Sequence, residues 1–169
     1  MHIDEMKKLA QDLVDAGFAK SHPLSPCSEQ DITELEQRFA VVLPESYRNF
    51  LRVMGRNGGD FLNDGIWEYP LEMVPEGANS LLTENEATFQ LLPADFVYLC
   101  RDNFFLFFDT NAGDDPAVYI FKDGAREPQR FFESFSEWLT VCIRGEIAIR
   151  VESLQLEQKR LDRSSPTTP

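Results

Sequence analysis

The sequence predicts an α+β fold, a twisted and mostly antiparallel sheet packed against several helices in a single domain. Three observations predict it. Apolar residues recur at three- and four-residue spacing up to Met54 and again after Ser134. Between those regions the texture changes to short runs rich in aromatic and β-branched residues, bounded by Gly, Pro, Asn and Asp. No linker or internal repeat divides the 169 residues, a length that one hydrophobic core can serve.

Ile3, Met6, Leu9, Ala10, Leu13 and Val14 fall at helical spacing, and Gly17 stands where a left-handed residue closes a helix, which predicts a helix over 4–16. Lys20 to Cys27 has no periodicity, holds Pro23 and Pro26, and reads as a loop. Ser28 is placed to cap a second helix over 29–39, whose stripe is Ile32, Leu35 and Phe39. Val41-Val42-Leu43 is a short extended link. Pro44 suits the first turn of a third helix that turns Tyr47, Phe50, Leu51 and Met54 inward, and Asn57-Gly58-Gly59 ends it.

The β-prone runs are Ile66–Tyr69, Phe96–Cys100, Phe104–Phe108 and Val118–Phe121. Leu81, Leu82 and Phe89, set among Glu84, Asn85 and Glu86, give a poor helical pattern over 79–91. Asp109 to Pro116 is a turn-rich loop, and Lys122-Asp123-Gly124 is a tight turn by its Asp-Gly pair; both join strands as hairpins. Ser134 and Glu137 stand at capping-box spacing and open a helix with Phe135, Trp138, Leu139 and Cys142 on its buried face. Gly145 is expected to weaken or kink it. Ile147, Val151, Leu154 and Leu161 carry a stripe onward before Ser164–Pro169 frays. On this reading 1–27 is an N-terminal helix and loop, 28–143 the main body, and 144–169 a helical extension and tail.

The net charge is -13, and it is unevenly spread. From Asn57 to Phe121 there are twelve Asp or Glu residues and one base, Arg101, a local charge of -11. Arg144 to Arg163 holds five bases against four acids. Such a field repels nucleic acid and anionic membranes, which disfavours both as partners; neither is expected. No apolar run reaches the roughly 20 residues a bilayer span needs, and Met1-His2-Ile3-Asp4-Glu5 lacks the basic-then-apolar order of a signal peptide. Cys27, Cys100 and Cys142 are an odd set without CxxC spacing, which suits reduced thiols in a cytoplasmic protein.

Candidate chemistry is scarce. His2 and His22 sit in a terminus and a loop, so no histidine is available for a Ser-His-Asp or Cys-His site. The cysteines and His22 offer no clustered pair for zinc. Asp109-Thr110-Asn111-Ala112-Gly113-Asp114 departs from a calcium loop at positions five, six and twelve. Asn57-Gly58-Gly59 lacks the Lys and Ser or Thr of a phosphate loop and ends a helix where such a loop begins one. Asp114-Asp115 has the groups of an acid–base pair, but in a turn it reads as solvated or partner-facing. Tyr47 and Trp138 read as core, and Trp67 is left open between core and ligand anchor. No catalytic residue, metal or cofactor is expected.

The series Ile32-x-x-Leu-Glu-x-x-Phe, Val42-Leu43-Pro44-Glu45-Ser46-Tyr47-Arg48-Asn49-Phe50-Leu51 and Asn57-Gly58-Gly59 resembles the N-terminal signature of the SUKH superfamily, also called the Smi-Knr family. Leu92-Pro93-Ala94-Asp95-Phe96-Val97-Tyr98, Phe107-Phe108, Gly113-Asp114-Asp115-Pro116-Ala117-Val118-Tyr119 and Phe132-Glu133-Ser134-Phe135-Ser136-Glu137-Trp138-Leu139 look like its strand and closing-helix region. No single block is specific; their shared order is, over about residues 28–143. Leu43, Pro44, Tyr47, Asn57, Gly58 and Gly59 are the structural motif. The resemblance implies an α+β fold without an established catalytic centre, and many bacterial members are immunity proteins that silence a toxin.

The expected function is therefore neutralisation of a cognate protein toxin, nuclease-like in character, by an acidic surface carrying Asp60, Asp64, Glu68, Asp109, Asp114 and Asp115. Carboxylates on a rigid sheet take the place of phosphates opposite Lys and Arg. The competing reading of those acids is that they only keep the domain soluble. Two other functions stand beside it: a regulatory scaffold, as eukaryotic relatives are thought to be, and a carboxylate-based hydrolase. The expected state is a monomer or weak homodimer.

Overall fold

The computed structural model describes residues 1–61 and 74–164. The first helix, α1 (Ile3–Asp15), buries Met6, Leu9, Ala10 and Leu13, and Gly17 follows it with φ +84°. Val14, on the expected apolar stripe, is exposed. Helix α2 (Glu29–Phe39) is capped by Ser28, whose hydroxyl accepts from the Asp31 amide while the Asp31 carboxylate accepts from the Ser28 amide. Hydrogen bonds from Arg56 and from Ser28 hold the Asp31 carboxyl down to about 2. Ala40, at φ 53°, ends α2 in the left-handed region.

Helix α3 (Glu45–Met54) buries Tyr47, Phe50, Leu51 and Met54, the four residues expected to face inward. Pro44 is the N-cap residue in extended conformation, one position before the first turn the sequence assigned to it. A ring with fixed φ and no N–H is compatible with either place. Asn57 then folds the chain back: its carbonyl accepts from Ser25 at 2.8 Å and its side-chain oxygen from the Gly59 amide at 2.7 Å.

The sheet is fully antiparallel in the order β1 (Asp95–Arg101), β2 (Phe104–Asp109), β3 (Val118–Lys122), β4 (Gln129–Phe132). The expected runs from 96, 104 and 118 supply the first three strands. Strand β4 was not foreseen, because Gln129 and Arg130 carry no β-branched pattern and the strand is mostly exposed; its conformation comes from pairing with β3. The run Ile66–Tyr69 lies outside the described residues. Strands β2 and β3 pair without a register shift, whereas irregularities between Val97 and Leu99 and between Val118 and Tyr119 shift the β1–β2 and β3–β4 registers.

Helix α4 (Val74–Glu84) replaces the helix expected over 79–91. It starts earlier, with Pro75 in its first turn, and stops where Glu86 enters positive φ and the Ala87 amide bonds back to the Leu82 carbonyl. Phe89 is consequently not helical and instead packs on Phe107, with centroids 5.5 Å apart. Helix α4 covers one face of the sheet so closely that a Cβ on Gly77 would lie 2.9 Å from the Cys100 sulfur.

The other face receives α3 and α5 (Phe135–Ser164). Ser134 accepts from the Glu137 amide, and the Glu137 carboxylate accepts from the Glu133 amide, one residue before the expected capping-box partner. Gly145, expected to weaken or kink this helix, lies within a helical run that continues to Ser164. Phe135, Trp138, Leu139 and Ile143 are buried, and Tyr47 sits at the centre of the layer, with the rings of Phe50, Phe96, Tyr98, Phe108 and Phe135 at 5.2–5.9 Å. Helix α1 joins the same core.

Candidate partner-binding surface

The arginines of α3 are already occupied. Arg52 pairs with Glu29 and Glu45 at 2.7 and 2.8 Å, Arg56 with Asp31 at 2.7 Å, and Arg48 with Glu36 at 3.4 Å. Glu29, Asp31 and Glu36 of α2 are thus neutralised locally. No Lys or Arg among the described residues pairs with Asp95, Asp109 or Asp114, so the acidic half of the chain keeps its field where β1, β2 and the β2–β3 loop meet.

That loop, residues 110–117, is pinned at both ends. The Thr110 amide donates to the Ala94 carbonyl at 2.9 Å, and the Asp109 carboxylate accepts from the Asn111 amide at 2.8 Å. At the other end the Asp114 carbonyl accepts from Ser46 at 2.9 Å, the Asp115 carboxylate from the Ser136 amide at 3.0 Å, and the Pro116 carbonyl from Phe135 at 2.8 Å. Asp115 therefore serves the open amides and positive end of α5. The tip, Asn111 to Asp114, is exposed and held on a rigid base.

Beside the loop lies an open groove of about 620 Å³ lined by Thr33, Gln37, Val42, Pro93, Thr110 and Asn111, among others. Its making is local. The Glu36 carboxylate accepts from the Leu43 amide at 2.8 Å and fastens the 41–44 link, whose alternation buries Leu43 and turns Val42 outward at 73% exposure. Leu92, at 64% exposure, directly precedes Pro93, which lines the groove. Exposed apolar side chains near an unneutralised acidic loop are a combination that partner surfaces use: an anchor plus a steering field.

Asp95 and Asp109 face each other in register at the end of the β1–β2 pair. Burial pushes the Asp95 carboxyl up, and the charge of Asp109 adds to that, against the opposing hydrogen bond from the Leu92 amide at 2.8 Å. A raised pKa means that ionised Asp95 costs stability at neutral pH, a cost relieved as pH falls through the folded-state value. Asp95→Asn keeps an acceptor for Leu92 and is expected to raise stability at pH 7 by a few tenths to about 1 kcal/mol, the range for like charges facing each other across strands. Urea unfolding at pH 7 and again near pH 4 checks this; the gain should shrink at the lower pH.

Of the carboxylates singled out from the sequence, Asp109, Asp114 and Asp115 are brought together on one loop. Asp60 is held elsewhere: its carboxylate accepts from Arg150 of α5 at 3.3 Å and its amide donates to Phe18. Asp64, Glu68 and Trp67 lie outside the described residues. Leu43, Tyr47, Gly58 and Gly59 are buried, and Pro44 and Asn57 shape the ends of α3 as described above. Sequence reasoning missed Val42, Leu92 and Asp95 as surface residues. The alternation in Val41-Val42-Leu43 was the only signal, and it does not say which phase faces out.

The groups that carry reactivity elsewhere are quiet here. Burial, with a smaller contribution from Glu146, pushes the Cys142 thiol up to about 11, and burial and Asp102 push Cys100 upward, so both are protonated at neutral pH. The pocket of about 220 Å³ that Asp95 lines is otherwise formed by apolar residues and Asn79, with no second carboxylate among the described residues. No group of three His, Cys, Asp or Glu among those residues is arranged to hold a metal. No helix among them is long and apolar enough to cross a membrane.

A family model described as SMI1 / KNR4 family (SUKH-1) matches residues 26–141. No curated protein and no solved structure matches the chain. The family match takes in α2, α3, the whole sheet and the start of α5, and with them every residue of the groove and the acidic loop.

Proposed function

The chain belongs to the SMI1/KNR4 family (SUKH-1), and from that premise we propose that it is a non-catalytic immunity protein, acting in the cytoplasm without a cofactor, that binds and silences a cognate, nuclease-like toxin. The observation that carries this reading is the presence of exposed Val42 and Leu92 near the end of β2 and the β2–β3 loop, where no Lys or Arg of the described residues pairs with Asp109 or Asp114. A nuclease must present Lys and Arg to phosphate. A rigid acidic loop competes for that surface, while an apolar anchor excludes water around the charged contacts.

Within this proposal Asp109 and Asp114 make the direct contacts. Asp60 and Asp115, satisfied internally by Arg150 and by the start of α5, strengthen the field without reaching the partner. Asp64 and Glu68 belong to the same acidic segment of sequence and are assigned to the surface on charge alone.

The test is co-expression with the product of the adjacent upstream gene, followed by pull-down and a toxicity rescue. Rescue together with a stable complex is expected. Asp109→Asn with Asp114→Asn should slow association about 10-fold or more and flatten its salt dependence, since unscreened surface charge acts mainly on the encounter rate. Val42→Ser should act on dissociation instead, because an apolar anchor contributes after contact. Full rescue by a chain carrying all three substitutions would remove this site assignment, and failure to rescue by the unaltered chain would remove the immunity reading itself.

A further inference from the structure

Helix α5 outruns the domain it closes. Near the edge of the domain Arg150 still reaches inward: its guanidinium lies 4.0 Å from the Phe18 ring centroid and donates to Asp60. Every residue from 151 to 161 is exposed, so the helix projects by about 15–20 Å at 1.5 Å per residue. This segment keeps apolar residues that its exposure does not require: Val151, Leu154 and Leu161 are 43%, 52% and 64% exposed. With Ile147 and Gln158 they repeat at alternating spacings of four and three, the heptad seam of paired helices, with one polar layer at Gln158.

Charge identifies what covers the seam. In a chain of net charge -13, the stretch Arg144–Arg163 carries +1, the sum of five bases and four acids. It is the stretch along which two copies can approach without mutual repulsion. The acidic bodies give the direction: a parallel pair would set the two of them side by side, whereas an antiparallel pair sets them at opposite ends of the seam. Antiparallel pairing then places Val151 opposite Leu161 and Leu154 opposite Gln158. A lipid surface suits this helix less, because the acidic body beside it would be repelled by an anionic bilayer.

We propose that the projecting half of α5 is a self-association surface on which a second copy of the chain packs antiparallel through Val151, Leu154 and Leu161. Two heptads per helix place the buried area at the low end for specific interfaces, so the dimer is weak and reversible, with a dissociation constant on the order of 0.1 mM.

The experiment is sedimentation equilibrium of the full chain from about 10 µM to about 1 mM, a range that brackets this constant. The weight-average mass should rise from 19.4 kDa toward twice that value and stop there. Leu154→Asp, at an exposed site that folding does not depend on, should hold the mass at that of the monomer with an unchanged circular dichroism spectrum. On oxidation, Val151→Cys mixed with Leu161→Cys should give the mixed 151–161 disulfide in preference to either like pair, because antiparallel packing sets these two positions opposite each other. Monomeric mass throughout, association indifferent to Leu154→Asp, or growth beyond the dimer would overturn the proposal. So would preferential binding to phosphatidylcholine or phosphatidylserine vesicles. Preference for the 151–151 pair would overturn the antiparallel arrangement.

Discussion

Gly59→Ala is expected to lower the unfolding free energy by about 2–5 kcal/mol, the sum of a left-handed backbone forced on a β-carbon and a contact that must open. Gly59 has φ +67°, and a Cβ built there would lie 2.3 Å from the Phe18 carbonyl oxygen, 3.1 Å from that of His22 and 3.2 Å from the Leu24 side chain. Two of these neighbours are backbone, so no rotamer change relieves them. The Phe18 carbonyl is already engaged, since it accepts from the Asp60 amide at 2.7 Å. Moving it loosens the joint between α1 and the turn that ends α3. Gly113→Ala is the control: its φ is +98°, but nothing lies within 4 Å of the added carbon. It should cost the backbone term alone. Urea midpoints of the two variants measured together decide the matter, and equal losses would mean that the close approach at Gly59 contributes nothing.

Tyr47→Ala should cost about 3–5 kcal/mol, the range for removing a large side chain from a closed core. The ring is fully buried, and five aromatic neighbours from α3, β1, β2 and α5 surround it, so no single element can move in to fill the space. A domain of this size has a total stability of only about 5–15 kcal/mol, and the variant should be recovered with a lowered thermal midpoint and early release of α5 in hydrogen exchange. Tyr47→Leu retains part of the volume and should fall between Ala and the unaltered chain. Val42→Ala, at an exposed position three residues before α3, should stay within about 0.5 kcal/mol. A Tyr47→Ala loss no larger than that of Val42→Ala would show that the aromatic cluster is not the centre of the core.

Much of the fold was legible because it rests on local rules. Ser28 with Asp31 marks a helix start through backbone amides three residues away, and Tyr47, Phe50, Leu51 and Met54 mark an inward face through helical periodicity. The shortfalls have one cause in common. Strand β4 has little intrinsic β preference and exists because β3 offers a ladder, and α4 begins earlier than its poor pattern suggested, where Val74 and Ala78 also find the sheet to cover.

The candidate surface divides in the same way. Its acidity could be counted from the sequence, and the turn-rich Asp109–Pro116 segment was recognisable as a connection between strands. Which acids remain available could not be counted. Asp60 and Asp115 look like Asp114 in the sequence, yet Arg150 takes the first and the start of α5 the second, from 90 and 21 residues away.

By itself, the sequence determined the α+β class, the helix-capping and turn signals, and the acid excess, because each follows from residues within a few positions of one another or from a sum over the chain. Tertiary structure alone decided which carboxylates stay unpaired among the described residues, that Val42 and Leu92 face outward, and that the residues of α5 from 151 to 161 are exposed. Solvation and pairing depend on neighbours that only the folded chain brings together.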